Sequence, residues 1–152
     1  MYRALAPLAL LFALPATAQS GAEQKMAATV NAETERHVAL LEKLVNQNSG
    51  SLNLDGVTKV GQMVRAELEP LGFQVEWIDM KETGRAGHIV ATHKGNDRGK
   101  RILLIGHLDT VFESESPFQK FVREGTRASG PGIGGDKGGI VVVVAALRGV
   151  QA

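Results

Sequence analysis

Arg101-Ile-Leu-Leu-Ile-Gly-His-Leu-Asp-Thr110 is the segment on which the architecture turns. Residues 102–105 form a continuous apolar run, the pattern of a short strand covered on both faces. Gly106 ends the run, and His107 and Asp109 follow it. Side chains two positions apart on an extended segment point to the same side, so this imidazole and carboxylate can face one site together. Polar groups at the exit of a buried strand lie where open α/β sheets gather their ligands.

Working outward, residues 73–78 alternate as a half-buried strand does, and turn-rich residues 81–86 separate them from a second strand-like run, 87–93. Residues 95–99 (Gly-Asn-Asp-Arg-Gly) connect that run to the central strand, and residues 118–124 offer a further strand. Gly130-Pro-Gly-Ile-Gly-Gly-Asp-Lys-Gly-Gly139 then leads into an apolar stretch, residues 138–150. Its four consecutive valines favour a strand, while the glycine loop before them and Ala145-Ala-Leu147 favour a buried helix. The helix is the reading adopted. Before the strands, residues 30–45 follow a polar start and carry Val38, Leu41, Leu44 and Val45 at helical spacing. Residues 46–51 are a loop by composition. A second helix is expected from Asp55, as N-cap, to Leu71, with Val57, Val60, Met63, Val64, Leu68 and Leu71 as its stripe and Gly72 as its stop. The order ααββββα predicts an α/β fold, a mixed sheet with flanking helices.

Composition narrows the function classes. Arg3, the apolar run 8–14 and the small-x-small triplet Ala16-Thr17-Ala18 together read as an export signal over residues 1–18. The apolar run is far shorter than the roughly 20 residues a membrane span needs. A periplasmic or secreted protein is expected, with no membrane association after cleavage. Of the 17 basic residues Arg3 leaves with the signal, so residues 19–152 hold 16 basic and 16 acidic side chains. A balanced chain gives no reason to expect a nucleic-acid partner. Cysteine is absent, so any metal site must be built from His, Asp and Glu, the nitrogen and oxygen donors of open catalytic zinc sites.

Taken alone, His107 and Asp109 support two readings. A neutral imidazole can bind zinc while a neighbouring carboxylate orients its ring. Equally, a strand can end in a turn whose Asp109 and Thr110 satisfy backbone donors. The spacing of Gly130, Gly132 and Gly135 matches G-x-G-x-x-G and raises a dinucleotide-binding alternative. That fingerprint should close a strand and be followed by an acid about twenty positions on, whereas here polar residues 123–127 precede it. A Walker A loop is excluded, because Lys137 follows Asp136 and no Ser or Thr comes after it. His37 falls on the polar part of the first helix, and His88 and His93 sit on a strand with no acidic partner at ligand spacing, so each reads as a surface or packing residue. Trp77 alternates with Val75 and reads as a sheet-packing residue.

Gly106-His-Leu-Asp-Thr-Val111 and Gly130-Pro-Gly-Ile-x-x-x-Lys-Gly-Gly139 together resemble the M20 family of zinc metallopeptidases, nearest to its glutamate carboxypeptidase branch. Val45-Asn-Gln-Asn-Ser-Gly50, Leu71-Gly-Phe73 and Ser116-Pro-Phe118 add to the likeness, which covers about residues 30–150. The resemblance implies a zinc-exopeptidase catalytic domain over residues 19–152, holding two zinc ions bridged by a carboxylate and a water. It implies His107 as a zinc ligand and Asp109 as the active-site acid that clamps the His107 ring. The implied reaction is amide hydrolysis of a peptide or N-acyl amino acid, releasing a C-terminal residue such as glutamate.

Two departures qualify this. The family's bridging aspartate precedes the motif lysine by two residues, where this chain has Gly135, and Asp136 stands one place later. Asp136 is a metal ligand if the glycine-rich backbone shifts register, and a loop-capping or solvent-facing residue if it does not. The family's general-base glutamate, further ligands and lid or dimerisation domain would fall beyond residue 152. The 152-residue piece is therefore expected to be inactive alone and a longer parent to form a homodimer, with a non-catalytic, peptide-binding M20-like protein as the alternative.

Overall fold

The computed structural model of the protein describes residues 19–96 and 98–151. The export signal read over residues 1–18 lies outside the described residues, as does Asp97 in the 95–99 connection. The fold is α/β, with four α-helices and two antiparallel strand pairs among the described residues.

The polar start is itself helical, a correction to the single helix read over residues 30–45. Helix α1 (Gly21–Ala32) begins in a capping box, in which the Ser20 hydroxyl accepts from the Glu23 amide and the Glu23 carboxylate accepts from the Ser20 amide. It buries no residue, so apolar periodicity could not reveal it. Glu33 breaks the run, and helix α2 (Thr34–Asn46) follows. Its buried face is His37, Leu40, Leu44 and Val45, turned from the stripe expected through Val38 and Leu41. His37 thus faces inward, with Glu33 Oε2 at 3.6 Å from its Nε2.

Helix α3 (Leu54–Leu68) is capped by Asn53, whose side chain accepts from the Gly56 amide, and not by Asp55. Its stripe of Val57, Val60, Val64 and Leu68 is buried as expected. A 3-10 turn (Glu69–Leu71) and Gly72, left-handed at φ 80°, stop it. Helix α4 (Asp136–Gln151) settles the strand-or-helix ambiguity of the valine run. Tertiary packing outweighs β-propensity there, because Val141, Val144 and Ala145 share one buried face while Val142 and Val150 face outward. Leu40 and Leu44 of α2, Val60, Val64 and Leu68 of α3, and Val141 and Val144 of α4 form the core.

Strands β1 (Gln74–Asp79) and β2 (Gly87–Thr92) pair antiparallel, in register from Gln74↔Thr92 to Asp79↔Gly87. Val75, Ile89 and Ala91 lie against the helical core. The Trp77 ring lies so close to Gly61 of α3 and to Gly87 that a Cβ at either would stand 2.6 Å from it. Strands β3 (Val122–Glu124) and β4 (Arg127–Ser129) form a second hairpin about Gly125, so the strand read over 118–124 keeps only its last three residues.

The central strand is the main correction. Residues 101–105 run without a hydrogen-bonded neighbour among the described residues, and Ile102, Leu103, Leu104 and Ile105 are 82, 82, 53 and 84% exposed. A strand exists through its neighbours. Here β1–β2 and β3–β4 close as separate hairpins, and the apolar run is left uncovered. The parallel pairing near it is a single bridge, Gly50↔Thr110, just past the polar pair.

Candidate active site

Three segments meet where the exposed run ends: the α2–α3 loop, residues 107–110, and the first turn of α4. The bridge is the junction of the first two. Thr110 N donates to Ser49 O at 2.8 Å, and Ser51 N donates to Thr110 O at 3.1 Å. Asn48 ties the same loop further along the chain, its Nδ2 donating to Phe112 O at 3.0 Å and to Gln119 Oε1 at 2.8 Å. The loop backbone is thereby fixed against the segment that carries His107 and Asp109.

His107 has a carboxylate on each ring nitrogen. Nδ1 lies 3.1 Å from Asp109 Oδ1 and 2.9 Å from the Asp109 carbonyl. Nε2 lies 3.0 Å from Asp136 Oδ2, and the same oxygen accepts from the His107 amide at 2.5 Å. The two residues read as one polar pair therefore act on one ring, and Asp136, at the start of α4, joins them. Its side chain is one-third exposed and reaches across to the His107 segment. Gly135 lies beside it, where an added Cβ would meet nothing nearer than Gly132 O at 3.8 Å.

The second oxygen of Asp109 accepts from the Ser51 hydroxyl. Burial pushes the Asp109 carboxyl up, but the Ser51 hydroxyl, its own backbone amide and His107 outweigh that and hold it below the usual carboxylate range. Ser51 was not among the expected site residues. It sits in a loop of ordinary turn composition, 58 positions from its partner, and no local pattern signals such a contact.

Lys137 is the other residue that spacing did not single out for a site. Its side chain is 1% exposed and donates to Gln47 O, just past the end of α2, at 2.8 Å. Burial lowers its ammonium to about 8. Gly132 makes room for it, standing left-handed at φ 81° with Lys137 and Thr110 so near that an added Cβ would be 3.1 Å from each. A concavity of about 680 Å³ along α2 and α3 is lined by none of Ser51, His107, Asp109, Asp136 and Lys137, although Gln47 borders it. His88 and His93 are exposed, the latter beside Phe73 at 5.1 Å between ring centres.

The donor chemistry suits a metal ion in part. An imidazole nitrogen and a carboxylate oxygen 3.0 Å apart lie within the span of one ion with bonds of about 2.0–2.2 Å. The described residues contain no group of three or more His, Cys, Asp or Glu side chains placed to hold one. Among the described residues, His107 Nε2 and Asp136 Oδ2 are two such donor atoms, with Asp109 behind the ring.

Comparison with known proteins concerns the same segment. The family model described as Peptidase family M20/M25/M40 matches residues 103–152, the part that carries His107, Asp109, Asp136 and α4. Over 115 residues the chain is 37% identical to carboxypeptidase G2 of Pseudomonas sp. (strain RS-16). Residues 103–152 thus resemble this peptidase family. The aligned part is 73% of the chain and 27% of that relative, so the chain spans about a quarter of the length of the curated relative it matches.

Proposed function

We propose that this chain forms part of the catalytic domain of an M20 zinc-dependent carboxypeptidase, a hydrolase that releases a C-terminal amino acid such as glutamate from a peptide or N-acyl amino acid. The observation that carries the reading is the His107 ring held between Asp109 on Nδ1 and Asp136 on Nε2. A proton kept on Nδ1 by Asp109 leaves Nε2 as the donor, and Asp136 supplies an oxygen donor beside it. Zinc, when bound, polarises a scissile carbonyl and lowers the pKa of a water. Asp109 orients the ring, and Asp136, through the His107 amide, fixes the turn from which the ring projects. Residues 1–18 direct export in this reading, so the work is done in the periplasm or outside the cell.

The test is metal binding by the chain and by two variants. Zinc binding should weaken on Asp136→Asn and strengthen on Gly135→Asp, for which the backbone has room. Equal affinity in all three would sink the donor assignment. Even with zinc the 152-residue chain should turn over no peptide by itself. Hydrolysis that vanishes on His107→Ala would overturn that expectation. Gly135, which offers no ligand, favours a second reading: an M20 protein that binds peptides without cleaving them. Peptide binding retained in a longer parent that takes up no zinc would select it.

A further inference from the structure

We propose that Ser51 is a positioning residue for the His107 ring, acting through Asp109; the zinc arm of its test rests on the reading above. The two oxygens of the Asp109 carboxylate have separate partners. Oδ1 faces His107 Nδ1 at 3.1 Å, and Oδ2 accepts from the Ser51 hydroxyl. A carboxylate held at one oxygen only can turn about its last bond. Held at both, it has one orientation, and that orientation aims Oδ1 at the ring.

Ser51 can do this because its own position is set by backbone. Its amide donates to Thr110 O at 3.1 Å, and Thr110 in turn donates to Ser49 O at 2.8 Å. Leu52 N and Glu113 Oε1, at 3.1 Å, hold the next residue of the loop to the same segment. The hydroxyl has one proton to give, and the alternative acceptor, Thr110 O, is farther away at 3.4 Å. The result is a chain of contacts from the α2–α3 loop to the ring: Ser51 Oγ, Asp109 Oδ2 and Oδ1, His107 Nδ1. Groups that orient a metal-binding histidine from behind commonly alter metal affinity by about 10- to 100-fold.

The primary test uses the metal-free chain, so it does not depend on zinc. The ring nitrogen NMR shifts of His107 are recorded in the unmodified chain, in Ser51→Ala and in Ser51→Thr. Ser51→Ala should move them and Ser51→Thr, which keeps the hydroxyl, should restore them. Unchanged shifts in Ser51→Ala, or the same displacement in both variants, would overturn the role. Should Ser51→Ala fail to fold, the unmodified chain still decides: its Ser51 hydroxyl proton should exchange slowly enough to be observed, and a freely exchanging proton counts against the proposal. Cobalt titration then reads the consequence for metal binding, with about tenfold weaker binding in Ser51→Ala and recovery in Ser51→Thr. An unmodified chain that takes up no cobalt removes the metal reading, and the ring shifts still judge Ser51.

Discussion

An ammonium enclosed with one carbonyl partner lowers the stability of the fold that encloses it, and Lys137 is such a group. Its folded value of about 8 lies below the ordinary 10.5. Between these two values the unfolded chain binds more protons than the folded one, so stability should rise with pH across that window, by roughly 3 kcal/mol at most. Urea unfolding through the window checks this, and Lys137→Met should abolish the rise. A slope that persists in the variant would assign it elsewhere. The contact of His107 with Asp109 was legible in the sequence because a two-residue spacing is a local feature. Asp136 was legible only as a residue one place from where a bridging acid was expected. Its contact with the ring depends on how the glycine loop delivers α4. Ser51 was not legible at all, since its contact joins distant segments.

Elements were legible where burial is periodic. The β1–β2 alternation and the α3 stripe needed only the periods of two and 3.6; both strands formed within one residue of their expected bounds, while α3 ends three residues early and a 3-10 turn carries the chain on to Leu71. Helix α1 was missed because it buries no residue, so no apolar stripe marks it. The run 101–105 was misread because an apolar run states what a strand would bury, not whether a neighbour arrives to cover it. The contact between α3 and the β1–β2 hairpin is close at Gly61, where a Cβ would stand 2.6 Å from the Trp77 ring. Alanine there gains about 0.5–1 kcal/mol of helix propensity, but overpacking costs about 1–3 kcal/mol. With Gly87 also tight against the ring, Trp77 has little room to yield. Gly61→Ala should therefore destabilise by about 1–2 kcal/mol, read from thermal or urea unfolding. A neutral or stabilising result would mean that the ring swings aside.

At the scale of the molecule, one side is closed and another is open. Leu44 is fully buried among α2, α3 and α4, and Leu44→Ala should cost about 2–5 kcal/mol in unfolding free energy. Ion pairs tie the same layers from outside, with Glu33 on Arg148 of α4 at 2.5 Å and Glu35 on Arg123 of β3 at 2.8 Å. The open side is the exposed run at 102–105, with bare amides and carbonyls along it. Such a segment templates pairing with another chain. The chain should self-associate as concentration rises, and Leu103→Lys should suppress this while changing unfolding free energy by less than about 0.5 kcal/mol. Sedimentation measurements distinguish the two. Association unchanged in Leu103→Lys would place the contact elsewhere.

The bridge between Gly50 and Thr110 also sets a timetable. Helices α2 and α3 are neighbours in sequence and can find each other early, whereas the cluster needs pieces from residue 51, residues 107–109 and residue 136. Contacts between distant segments form only after a longer search, because loop closure is costly before it is rewarded. In refolding, the α3 amides should become protected from hydrogen exchange before the Thr110 amide, which waits for Ser49 O. A chain with its helices assembled is thus not yet a chain with a site. For an interval after collapse it has the shape without the carboxylates that flank the His107 ring.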